Sequence, residues 1–224
     1  ADHVPGEKPE TRTRNELIIR MLWATACRAD ELSRMRIDNI DWEKNEIRIR
    51  SSKLNFEDHP DLYHRKVWWD DNLRMLLRRW HDSHRSKFSK YAEDDGEVDD
   101  DGKPLNRWKE SPYLFLSTHG IQMKPSTISR IVKQAGFNAD IQEPLLKDSD
   151  GTVKQWLYTA HRIRHSRITW LANDANNGEG MELNSLRMMA GHAKFDTTLD
   201  YVQSDWDTAR ERYKKAIQAH ELPV

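Results

Sequence analysis

The sequence predicts a mainly α-helical protein with one small antiparallel β-sheet (α+β). Three observations carry this. Apolar residues recur three and four apart in several separate segments, the period of helices with one buried face. Alternation of apolar and charged residues is clear in one place, "EIRIR" at 46–50, with a candidate partner, "HRKVWWDD", downstream. Ser or Gly residues flank several of the helical segments as caps and stops.

Taken in order, residues 1–11 are polar and read as a linker or loose terminus. "RNELIIRMLWATACRADELSRM" is helical through Leu17, Met21 and Ala24, with a second apolar set at Leu32 and Met35. "DWEKNEIRIRSSK" gives a turn and then a strand at Ile47 and Ile49. A polar connection, "LNFEDHPDLY", leads to the candidate partner strand. From Asp71 an amphipathic helix shows Leu73, Leu76, Leu77 and Trp80 on one face. Residues 91–111 carry seven acidic residues between Glu93 and Asp101, the composition of a surface loop. "SPYLFLST" is a short apolar run. "KPSTISRIVKQAGF" predicts a helix capped by Ser126 and stopped at Gly136. Residues 137–158 look irregular. Helices are expected from Thr159 to Ala175, over "ELNSLRMMAG" with Gly191 closing it, and after Ser204, where Ala209, Tyr213 and Ile217 share a face. There is no internal repeat and no clear break between domains.

Composition bounds the function. The 224 residues suit one good-sized domain or a domain with an appendage. Hydrophobic residues are 37% and charged residues 33%, which fits a soluble folded chain. The net charge of −1 announces no nucleic-acid binder, but a balanced total can hide a basic face opposite an acidic one. Cys27 is the sole cysteine, so no internal disulfide forms, and a reducing, cytoplasmic setting is expected. No apolar stretch reaches transmembrane length, and the first residues lack a signal-peptide core. No membrane partner is expected.

The chemistry concentrates in "TAHRIRHSRITWLA", residues 159–172. His161, Arg164 and His165 sit at i, i+3 and i+4 and share one face, while Arg162 and Arg167 lie on other stripes. A guanidinium fork between two imidazoles suits phosphate or carboxylate oxygens. A charged, solvated helix end is the plainer reading of this segment alone. A zinc reading of His161 and His165 is poorly supported. No Glu follows His161, Arg164 would set a permanent cation beside the metal, and no nearby Cys or carboxylate completes the shell. No metal or cofactor is expected. Upstream, Arg28 and Glu31 stand at i, i+3, so the carboxylate can orient the guanidinium. Downstream, His192 follows a Gly, and Tyr201 lies nine residues on.

"TACRADEL", "HRIRH", "AGH" and that Tyr, in this order, resemble the catalytic domain of the tyrosine recombinase (phage integrase) family. The resemblance covers about residues 12–219. It implies that Arg28, Lys53, His161, Arg164 and His192 form the catalytic set and that Tyr201 is the nucleophile, with Glu31 and His165 in support. Two positions depart from the pattern: Cys27 replaces the usual Gly and Ala190 the usual Leu. The loop after Lys53 is long and acidic, with Glu57, Asp58 and Asp61, which keeps Lys66 as the fallback lysine. The implied reaction is DNA cleavage and rejoining through a 3′-phosphotyrosine. The implied partners are double-stranded DNA, a tetramer of the chain and accessory DNA-bending proteins, in a prokaryotic or viral setting. A separate N-terminal DNA-binding domain, usual in the family, is not seen.

Phosphate contacts elsewhere are assigned to Arg34, Arg36, Arg48, Arg50, Lys124, Arg130, Lys133, Arg162 and Arg167. Three other readings stay open: a type IB topoisomerase, which shares the chemistry; a DNA-binding module without catalysis; and a helical interaction protein.

Overall fold

The computed structural model describes residues 2–51, 53–88, 111–173, 180–194, 196–202 and 210. Most of the acidic 91–111 segment and the helix expected after Ser204 lie outside them.

Helix α1 (Pro9–Thr25) starts inside the segment expected to be a loose terminus. Pro9 sits in the first turn, where its fixed φ suits a helix and its missing N–H costs nothing. The preceding residues are also held: Asn15 Nδ2 donates to Pro5 O at 2.7 Å, and Asn138 Nδ2 donates to His3 O at 3.1 Å. Leu17, Ile18, Met21 and Leu22 are fully buried along α1, the i, i+1, i+4, i+5 stripe of a central helix. The helix ends where Ala26 adopts a left-handed φ of 48°. The chain then turns straight into the short helix α2 (Ala29–Ser33), with Arg28 at its N-cap.

Strands β1 (Ile40–Asp41), β2 (Glu46–Arg50) and β3 (His64–Trp68) form one antiparallel sheet in that order. The alternation in β2 does what the sequence predicts: Ile47 and Ile49 face the core, and Arg48 and Arg50 face out. Register pairs Arg48 with Lys66 and Ile49 with Arg65, so β3 buries Arg65 beside Val67. A four-residue helix, α3 (Pro60–Tyr63), completes the link between β2 and β3.

Helix α4 (Asp71–Arg78) is capped by Asp70, whose carboxylate accepts from Leu73 N at 2.8 Å. It runs on through a π turn, Arg79–His84, which buries Trp80. Trp80 Nε1 donates to Leu114 O at 2.9 Å, tying the helix to the fully buried run Leu114–Leu116. Helix α5 (Pro125–Asn138) is capped at Lys124 rather than Ser126, because Pro125 takes the first turn. Gly136 lies inside it and does not stop it. Its missing Cβ instead admits Gln142, whose Nε2 would stand 3.0 Å from one.

Residues 137–158, expected to be irregular, contain a hairpin of β4 (Pro144–Lys147) and β5 (Val153–Trp156). Gly151, at φ 84°, makes its turn. β4 is exposed throughout, so no alternation of burial marked it in the sequence. Helices α6 (Ala160–Asn173), α7 (Leu183–Ala190) and α8 (Asp196–Leu199) finish the described chain. Ala26, Ile168, Leu171, Leu186, Met189 and Ala190 form a second core, with Tyr201 and Val202 packed on it. That core sets Tyr201 against α6. Among the described residues no helix is long and apolar enough to cross a membrane.

Candidate active site

Arg28, Lys53, His161, Arg164, His192 and Tyr201 line one cavity of about 310 Å³. They come from the start of α2, the β2–β3 connection, α6 and the segment on either side of α8. Two of the three residues on the cationic helix face, His161 and Arg164, therefore line this pocket, and His165 is not among its lining residues.

Arg28 is aimed by Glu31. Its backbone N donates to Glu31 Oε2 at 2.8 Å and its Nη1 to Oε1 at 3.0 Å. From the other side Arg65 donates to the same carboxylate through Nη1 at 3.2 Å and Nη2 at 2.8 Å. Arg65 Nε also donates to Met189 O at 2.9 Å, which joins the sheet to α7. Burial pushes the Glu31 carboxyl up. Arg65 and the Arg28 N–H outweigh it and hold the group down at about 2. Sequence reading missed Arg65. The available sign was an Arg in register with Val67, on the face that a strand buries. Gly191, at φ 67°, closes α7 in the left-handed conformation, and a Cβ there would stand 3.1 Å from Arg65 Cδ.

Glu31→Ala should leave Arg65 buried without its counter-charge, and we expect a loss of about 3–5 kcal/mol of stability, measured by denaturant unfolding. The pH dependence follows the depressed pKa. Glu31 stabilises the fold above its unfolded pKa, near ~4.3, and the contribution is lost as pH falls toward about 2. Wild type should show an acid-unfolding component in that window that Glu31→Gln lacks.

Arg164 is almost fully buried, whereas His161 and His165 on the same helix are exposed. Its Nη1 donates to Ala26 O, and its Nη2 donates to Ala190 O at 2.8 Å. Nη2 also lies 3.1 Å from His192 Nε2. Burial, then the Arg28 charge, lowers Arg164 to about 10, so it stays a cation at neutral pH. The same two kinds of cause, burial first and then Arg164, bring His192 down to about 4. His192 is therefore neutral at pH 7. His161 is also held below its ordinary value, by burial and then His165 and Arg164, and can accept a proton.

The Tyr201 ring centre lies 4.6 Å from that of His165 and 5.8 Å from that of His192. Asn173 Nδ2 donates to Tyr201 O at 2.7 Å, which anchors the turn that carries it. Burial raises the phenol above its ordinary value, while Arg164 and Arg28 pull it back. Lys53 lines the cavity. Lys66 instead bonds Glu46 Oε1 at 2.8 Å on the outer face of the sheet.

The residues assigned to phosphate contacts divide. Arg34 pairs with Asp30 and Arg36 with Asp38, each at 2.8 Å. With Arg48 and Arg50 they line a separate cavity, also about 310 Å³. Arg50 lies over Tyr63, Lys133 over Trp156, and Arg167 over both Trp23 and Trp170. Lys124, at the N-cap of α5, and Arg130, on it, are exposed, and Arg162 is half-buried. Among the described residues no group of three or more His, Cys, Asp or Glu side chains is placed to hold a metal ion.

The model of the phage integrase family matches residues 6–207. The chain is 27% identical over 195 residues to a probable integrase/recombinase protein of Methanocaldococcus jannaschii, covering 87% of this chain and 47% of that protein. It is 23% identical over 211 residues to tyrosine recombinase XerA of Pyrococcus furiosus, covering 93% and 56%. The chain thus spans about half the length of the curated relatives it matches. In fold it is similar to the XerH site-specific recombinase bound to difH substrate, with a TM-score of 0.63 at 18% identity, covering 98% of this chain and 50% of that one.

Proposed function

The chain belongs to the phage integrase family, and on that premise we propose that it is the catalytic domain of a site-specific DNA recombinase or integrase. It cuts and rejoins DNA by transesterification through a 3′-phosphotyrosine. The observation that carries this reading is the convergence of Arg28, Arg164 and Tyr201 on one cavity.

A phosphodiester enters with one negative charge and gathers more on its non-bridging oxygens as it is attacked. Arg28 and Arg164 donate to those oxygens from fixed positions, so little reorganisation is needed as the charge grows. Tyr201 must lose a proton that its surroundings hold firmly, and neutral His161 can accept it. Attack by the Tyr201 oxygen forms the phosphotyrosine bond and breaks the bond to the 5′-oxygen, which takes a proton from Lys53. Reversal by a 5′-hydroxyl reseals the strand, and no ATP is needed because the ester keeps the bond energy. Glu31 fixes Arg28, and His165 packs on the Tyr201 ring. The partners on this reading are double-stranded DNA and further copies of the chain, as a tetramer on two duplexes. The cellular setting is the cytoplasm. Relatives named as recombinases favour recombination over simple relaxation of supercoils.

The test is a nicked duplex carrying the cognate site, from which the cleaved end is lost by diffusion. Wild type should accumulate a covalent adduct mapping to Tyr201 by peptide mass. No adduct on any integrated or excised end of its element would overturn the proposal. In the same assay Lys53→Ala should slow cleavage by about 10²–10⁴, the range for a lost general acid. Lys66→Ala should cleave like wild type, and equal effects of the two would remove Lys53 from the mechanism.

A further inference from the structure

His192 is bonded at both ring nitrogens, and its partners fix where the proton sits. Arg164 Nη2 lies 3.1 Å from Nε2, and an arginine only donates. Nε2 therefore accepts, and the proton of the neutral ring is on Nδ1. Nδ1 in turn donates to Thr198 Oγ1 at 3.1 Å. Thr198 is fully buried, so water does not compete for that hydroxyl. Thr198 also reaches the nucleophile's backbone, because Tyr201 N donates to Thr198 O at 3.1 Å.

Resting on the recombinase reading, we propose that Thr198 is a positioning residue: its hydroxyl holds the ring orientation of His192, in the tautomer that Arg164 selects, and so keeps Nε2 in the cavity beside Arg164. It does so from the turn that also carries Tyr201. A hydroxyl suits this role for a reason that a methyl group cannot meet. It accepts from Nδ1–H while Nε2 is bare. It donates to a bare Nδ1 if the neutral ring exchanges with solvent to carry its proton on Nε2, as donation to a phosphate oxygen requires. Thr198 supports either tautomer without moving the ring. The charged groups facing His192 are Arg164, Arg28 and Arg65, which oppose extra protonation, and Glu31, which favours it. A neutral ring is thus the form that Thr198 orients.

The experiment compares wild type, Thr198→Ser and Thr198→Val. Ring ¹⁵N spectra of the DNA-free protein at pH 7 read the tautomer, and single-turnover cleavage of the nicked duplex reads the consequence. Wild type and Thr198→Ser should carry the proton on Nδ1. Thr198→Val, equal in shape, should keep the proton on Nδ1 but lose its acceptor, so the Nδ1 signal should shift and broaden, and cleavage should fall about 10- to 100-fold, the scale for a misplaced group. DNA affinity should be unchanged. A wild-type ring protonated at Nε2 overturns the proposal, and that spectrum decides even if Thr198→Val does not fold. Thr198→Val matching wild type in spectrum and cleavage overturns it too. The expected spectra in a protein that cuts no DNA would support Thr198's role and count against the recombinase reading alone.

Discussion

Tyr201→Phe should bind the same DNA as wild type and form no covalent adduct with it. The substitution removes one oxygen and keeps the ring. The contacts to His165 and His192 belong to the ring, and so does the packing on the second core. Thermal stability should therefore change little, and the backbone bond from Asn173 to Tyr201 O is untouched. What is lost is the oxygen that becomes attached to phosphorus in the proposed mechanism. Removing a nucleophile from a concerted site costs on the order of 10⁴–10⁶ in rate, and the remaining residues cannot compensate because they act on the same step. Gel-shift titration measures the binding, and denaturing gels measure the adduct. An adduct formed equally well by Tyr201→Phe would remove Tyr201 from the mechanism, while the cavity would still stand as a phosphate site.

The residues of this pocket were legible to different degrees. Arg28 and Glu31 could be read as a pair because one turn of helix connects them. His161, Arg164 and His165 could be read together for the same reason, since spacing along a helix fixes direction. Distance across the fold could not be read this way. Arg65 reaches Glu31 only because β2 and β3 pair in one register and β3 then crosses α7. No spacing rule singles out Thr198, because its contact with His192 depends on where α8 places it. The resemblance preferred Lys53 and kept Lys66 as the fallback; Lys53 lines the cavity, while Lys66 lies on the outward face of β3 against the carboxylate of Glu46. The hairpin at 144–156 was hidden because neither strand alternates in burial. Gly136 was read as a stop because glycine favours helix ends, whereas here it makes room for Gln142.

Arg28→Ala and Arg164→Ala should each slow cleavage by about 10²–10³, the worth of one preorganised donor to a developing oxyanion, yet they should differ in stability. Arg28 is partly exposed at the cavity edge, and Glu31 keeps Arg65 when it is lost. Its removal should leave the melting temperature near that of wild type. Arg164 is buried and donates to Ala26 O, Ala190 O and His192. Alanine there strands buried acceptors at about 1–3 kcal/mol each, a drop of at least several degrees for a domain of this size. His192 should respond as well. Arg164 is the leading charge holding it down after burial, so its pKa should rise from about 4 toward the ordinary histidine value in Arg164→Ala and much less in Arg28→Ala. Histidine titration by NMR separates the two. The double variant should be slower than either single one by less than the product of their effects, because both guanidiniums serve one phosphorus. Strict multiplication of the two losses, with His192 unmoved in Arg164→Ala, would mean that the two arginines do not share a substrate, and the single-phosphate site would have to be abandoned.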